Sequence, residues 1–388
     1  MKQGRFVGVL AMMLIWIGVA VLVAAFALLF LRKPAVETAA ARRPARAVER
    51  APAKTPMPRP EPVFAQASAS PPAAIAVPAV LADFHFQRAD DLPEERKKVY
   101  ASTFRDIPRP PKLLDHLLSP GFVNAASSSQ LVDLITAEPL IAARVIAAIN
   151  SPAYGLKAPV SSIGQAVTYL GLNSVRSLCL QYILIASFKS DSAERKKILD
   201  AAWRSSARAS ELTQQLSQRL GFDDRGSMVS AVVLSFLGRL ATTASVPREE
   251  LAAIVSHGLL DRAISEQKLL GLGSSQIGRL LMIDWGLPAG IVDDAADIDL
   301  VLVLPGSAFD ADRACRLALC YACARLGERL AEDALKDLSA FDPHAQDDPE
   351  FFHFQGYLAH PKLARLVQFI RSPEVSALMQ QMRSTMRL

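Results

Sequence analysis

One stretch of this chain cannot share a water-facing globule with the rest: the uncharged apolar run that opens with Phe6 and closes with Leu31. It exceeds the roughly 20 residues that an α-helix needs to cross the hydrocarbon core of a bilayer. Lys2 and Arg5 give the basic start of a secretory signal, and the small residues of ETAAA at 37–41 offer a cleavage site. A signal core, however, is only about 7 to 15 apolar residues long, so residues 1–32 read as an uncleaved transmembrane anchor. Arg32, Lys33, Arg42, Arg43 and Arg46 follow the run, and an excess of Lys and Arg keeps a flank in the cytoplasm. The expectation is a single-pass protein of the inner membrane, touching the lipid bilayer through Phe6 to Leu31, with its body in the cytoplasm.

The net charge of +5 must be located before it is interpreted. Residues 1–80 hold ten Lys and Arg against three Asp and Glu, whereas residues 81–388 hold 33 against 35. The excess belongs to the anchor's flank, where each basic residue beside an anionic leaflet contributes about 1 kcal/mol. The body shows no basic stripe interleaved with aromatics, so no nucleic-acid partner is expected. Residues 33–91, built up to about residue 80 from Pro, Ala, Arg and Ser as in RAPAKTPMPRPEP at 50–62, have too few large apolar groups to bury a core. They read as a disordered Pro/Ala-rich linker holding the body off the membrane.

Beyond residue 92 the pattern turns helical. SSSQLVDLITAEPLIAARVIAAINSPAYG at 127–155 places Leu140, Ile141, Val145, Ile146 and Ile149 on one helical stripe, and Pro152 ends it. Ser162 with Gln165 forms a capping-box pattern, Gly171 is placed to close that helix, and Asn173 to cap the next. The fold class expected is all-α: a single membrane span, a linker, a multi-helix bundle over 92–297, and a helical extension over 298–388 packed on it. IDLVLVLPG at 298–306 is the one run of strand-like composition, and strand, helix segment and packed loop all remain open for it. CYAC at 320–323, with Cys315 nearby, has redox or zinc spacing, but no second Cys or His pair follows and the surrounding run is helical. Buried helix residues are the better reading, and so few cysteines suit a reducing cytoplasm.

ITAEPLIAARVIAAINSPAYG, VSSIGQAVTYLG, Trp203, VVLSFLGRL at 232–240 and WGLP at 285–288 stand in an order that resembles the HD-related output domain (HDOD) family over about 107–297. The matching positions are Pro139, Leu140, Asn150, Ser151, Tyr154, Gly155, Ala166, Leu170, Gly171, Gly238, Trp285 and Pro288, with Glu138 where the family usually has Asp. The resemblance implies an all-α signalling domain of bacteria, related to metal-dependent phosphohydrolases but commonly without their ligands. Here the positions where active relatives carry metal ligands are Ser205, the pair Ser235 and Phe236, and Ser274.

A hydrolytic metal centre needs imidazole and carboxylate groups converging on a cation that acidifies bound water. None of His85, His116, His257, His344, His353 and His360 is followed by an Asp on an apolar helix. The expectations are therefore no catalytic residues, no bound metal and no cofactor. The stretch around Ser235 should be a helix buried nearly all round, with the Ser235 hydroxyl bonded to the carbonyl four residues back. The function expected is that of a membrane-tethered, catalytically silent HDOD domain that regulates by contact with an unidentified cytoplasmic signalling protein. A residual metal-dependent phosphodiesterase would need ligands that the sequence does not offer, and a nucleotide-binding sensor would need a Gly-rich phosphate loop or an Arg cluster.

The charge asymmetry around the apolar run predicts the side on which the body lies. A reporter active only in the periplasm, fused after Leu388, should be silent, and strong activity would reverse the orientation.

Overall fold

The computed structural model describes residues 76–188, 190–255, 258–345 and 348–385. The expected anchor over 1–32, most of the expected linker and His257 lie outside the described residues. The linker boundary at residue 91 is too late. Residues 79–82 form a short helix and Ala89–Asp91 a 3-10 turn, with Leu81 and Ala89 buried. Two glutamine side chains hold this segment, since Gln267 Oε1 accepts from the Gln87 N–H at 2.8 Å and Gln276 Oε1 from the Ala89 N–H at 3.2 Å. Both partners lie more than 170 residues away in sequence, which composition cannot anticipate.

All regular structure among the described residues is helical. Helices α1 (Glu94–Arg105), α2 (Ser128–Thr136), α3 (Pro139–Ile149), α4 (Ile163–Leu170) and α5 (Leu172–Ala186) come first. Ser127 and Gln130 start α2 with a reciprocal capping box. Along α3, Ile141, Val145 and Ile149 are buried, but Leu140 is 82% exposed: it sits beside the stripe and not on it. Ser162 Oγ accepts from the Gln165 N–H at 3.2 Å, while Gln165 Oε1 turns to the Ser161 N–H at 2.7 Å, so only half of the expected capping box forms. Gly171, at φ 82°, ends α4 and is also the N-cap of α5. Asn173 therefore lies inside the first turn and caps nothing, because one left-handed residue makes the whole connection.

Two long helices carry the core. These are α6 (Ala193–Arg219) and, after α7 (Arg225–Ser235), α8 (Leu237–Ser245), α9 (Leu259–Leu270), α10 (Ser274–Asp284) and α11 (Ala289–Asp297), the nearly all-buried α12 (Ala311–Ala331). Helix α6 packs along α12, and α7 along α6 and α11. The open assignment at 298–306 resolves into 3-10 turns at Ile298–Leu302 and Gly306–Ala308, with Ile298, Val301 and Leu302 in the core. Cys315, Cys320 and Cys323 are free and buried on α12. The residues past 298 thus supply a central helix of the bundle. Further along, Phe351 and Phe354 pack on Tyr321, and Glu350 Oε1 accepts from the Leu260 N–H at 3.0 Å, before α13 (Pro373–Thr385) closes the described chain. The stretch of the described residues apolar enough to span a bilayer, Arg225–Ser245, is 83% buried within the bundle.

Asn150 explains one motif position. Its Nδ2 donates to the Val160 carbonyl and its Oδ1 accepts from the Val160 N–H, both at 2.8 Å, pinning the loop between α3 and α4. Asn150→Ala strips both partners from a buried backbone unit and should cost about 1 to 3 kcal/mol. In urea unfolding this should appear as a lower midpoint at unchanged slope.

Candidate functional site

The stretch VVLSFLGRL is two helices joined at Phe236, not one. Val232, Val233, Leu234, Phe236 and Leu237 are buried, while Ser235 is partly exposed. Because α7 ends here, its last turn tightens, and Ser235 Oγ donates to the Val232 carbonyl at 2.8 Å, three residues back and not four. Ser205, fully buried on α6, donates to the Ala201 carbonyl at 2.9 Å. Ser274 opens α10 and donates its N–H to Glu266 Oε2 at 2.6 Å. Gly238 explains how α8 meets this point: a Cβ there would overlap the Ser274 carbonyl, and one on Gly278 would lie 2.8 Å from the Gly238 nitrogen. Ser274 thus faces the start of α8, whereas the Ser205 backbone abuts Gly327 of α12. Trp285 is buried at the end of α10, where its carbonyl accepts from Arg109, and Pro288 precedes α11.

Beside these positions lies an ion cluster that sequence reading misses. Glu328 of α12 receives Arg239 Nη1 from α8 at 3.1 Å, Arg262 Nη2 from α9 at 2.9 Å and Arg325 Nη1 from its own helix at 2.5 Å. Arg239 also reaches Glu332 at 2.6 Å, and Arg325 reaches Asp299 at 3.5 Å. All are buried or nearly so. Burial by itself would raise the Glu328 pKa, but Arg262, Arg325 and Arg239 outweigh it and hold the carboxyl at about 2. Burial pushes Asp299 and Glu266 up, with Arg325 and Arg262 respectively opposing it. An Arg cluster therefore exists after all, assembled from residues 239, 262 and 325. The only local signal was the spacing of Arg325, Glu328 and Glu332 along one ridge of an apolar helix. A cleft of about 570 Å³ opens over Arg239 and Glu332, with Lys197 and Arg204 of α6 and Val255 in its walls.

The superfamily's metal chemistry calls for a set of imidazole and carboxylate donors, and the residues present do not fit it. Two seryl hydroxyls are spent on their own helices, Phe236 is a hydrocarbon plug, and Ser274 presents its N–H to a carboxylate. Among the described residues no three His, Cys, Asp or Glu side chains converge. His85, His116 and His344 are exposed, His353 is partly buried and its pKa lowered by desolvation, and His360 Nδ1 accepts the Lys362 N–H.

The Glu328 pKa is lower in the fold than the ordinary 4.5, so its stabilisation is complete above that value and is lost as pH falls through about 2. Glu328→Gln leaves three buried guanidinium groups without their shared counter-charge and should cost about 3 to 5 kcal/mol. Urea unfolding from pH 5 to 2 tests this: stability should fall more steeply in the unmodified protein than in the variant, and parallel curves would refute the assignment.

Residues 107–299 match the HDOD domain family. An HDOD domain protein of unknown function from Geobacter sulfurreducens has a similar structure, with a TM-score of 0.53 at 18% identity, covering 74% of this chain and 98% of that one. A protein from Shewanella amazonensis SB2B that carries a phosphohydrolase name aligns with a TM-score of 0.49 at 19% identity, covering 74% and 97%. No curated protein matches the sequence. The family match makes residues 107–299 of this chain an HDOD domain, an HD-related domain of signalling proteins.

Proposed function

We propose that this chain is a membrane-tethered regulatory protein whose HDOD domain acts by docking a signalling partner, without turnover. The observation that carries this reading is the donor chemistry at the superfamily's ligand positions. Ser205 and Ser235 satisfy their own helices, Phe236 fills the helix junction, and the charge nearby is locked into arginine–carboxylate pairs. Nothing in that set would acidify a water or hold a phosphate in line. The cleft over Arg239 offers a partner an apolar wall with charged rims of both signs. The tether rests on the apolar run from Phe6 to Leu31 and on its basic flank.

Purified full-length protein should contain no stoichiometric transition metal and should show no phosphodiesterase activity with added manganese, iron or magnesium. One bound metal per chain together with measurable turnover would overturn the proposal in favour of a hydrolase. Rebuilding the pair as Ser235→His with Phe236→Asp should not create an enzyme, because Ser205 and Ser274 still contribute no ligand. It should destabilise the fold instead: loss of a buried Phe costs about 3 to 5 kcal/mol, and an unpaired buried carboxylate adds to that.

A further inference from the structure

A second polar cluster lies away from the ion network, between α5 and α6. Gln181 of α5 is 4% exposed, and its Nε2 donates to Ser177 Oγ at 3.0 Å and to Ser210 Oγ at 2.9 Å. The amide orientation is fixed, because Ser210 spends its own proton on the Ala207 carbonyl at 3.0 Å and must accept from Gln181. Gln181 Oε1 therefore faces inward, buried and without a hydrogen-bond partner, and so does Gln214 Oε1 of α6. Both residues line one cavity of about 10 Å³ together with Glu211, Tyr154, Ser174 and Met382. That is room for one water or one bare ion of similar radius.

The lining is short of positive charge. Glu211 accepts from Gln215 Nε2 at 3.0 Å, burial pushes its carboxyl pKa up, and no residue lining the cavity is basic. Tyr154 is near enough for the same carboxylate to raise its phenol further. A water molecule could donate to the two orphaned amide oxygens, but it would leave the carboxylate uncompensated. A cation coordinated by these oxygens satisfies both. Oxygen ligands select a hard cation, and a single carboxylate among neutral oxygens matches one positive charge better than two. Amide and carbonyl oxygens can replace the hydration shell of an ion of potassium's size.

We propose that the cavity bounded by Gln181, Glu211 and Gln214 is a binding site for a monovalent cation of potassium's size. The ion clamps α5 to α6 beneath the Tyr154 turn, and the site is independent of the docking role proposed above. The test is thermal unfolding of the full-length protein in potassium chloride against choline chloride at equal ionic strength. A ligand held only by the folded state raises the midpoint in a saturable way, so potassium should raise it by a few degrees. Glu211→Gln keeps the side-chain shape and should abolish the difference. Crystals of the unmodified protein soaked in rubidium chloride should give an anomalous peak between Gln181 Oε1 and Gln214 Oε1. Equal midpoints in the two salts, an undiminished potassium effect in Glu211→Gln, or a cavity without a rubidium peak would each overturn the proposal and leave an ordered water as the occupant.

Discussion

One carboxylate, Glu328, holds three guanidinium groups that reach it from α8, α9 and α12. Buried charge is tolerated only when every member of such a set is present, because removing one leaves its partners desolvated and unpaired. The cluster therefore acts as a register mark. It fixes where α8 and α9 stop along α12, and through Asp299 it reaches the turn that precedes α12. The close approach of α8 to α10 at Gly238 can exist only at that register, since one turn of sliding would bring a Cβ-bearing residue against the Ser274 carbonyl. Charge chooses the alignment, and small residues then allow the backbones to meet.

The polar centre of this bundle differs in kind from a metal site. A metal site concentrates ligands that stay reactive, with an open coordination position for water. Here the buried carboxylates are paired: Glu328 meets three arginines, and Glu266 is tied to the Ser274 N–H. Such an arrangement stores specificity of packing. The regulatory reading follows from that contrast more than from any single missing histidine.

Much of this was legible in the sequence. The helical class, the end of α3 shortly before Pro152, the role of Gly171 and the burial of Phe236 all follow from local rules of period, capping and apolarity. What escaped were features set by distant partners. Asn173 has the composition of a cap, yet Gly171 had already taken that position. Leu140 fits an apolar stripe by spacing but sits at its edge. Residues 76–91 looked unstructured because their hydrogen-bond acceptors, Gln267 and Gln276, come from the far side of the sequence. The ion cluster escaped for the same reason: three arginines separated by tens of residues carry no local signature, and their carboxylate partner lies in a helix that first draws the eye through its cysteines.

On the proposed reading, in which the N-terminal run anchors the chain, the segment at 76–91 has a mechanical meaning. Leu81 and Ala89 are buried and the backbone is stitched to Gln267 and Gln276, so a pull arriving along the chain does not meet a swivel. It is delivered as shear to α9 and α10, the two helices bridged by the Glu266 to Ser274 bond. Arg262 lies on that same α9, one turn from Glu266, so the load path ends at the carboxylate of Glu328. On that reading, tension along the chain and the internal register of the bundle are mechanically in series.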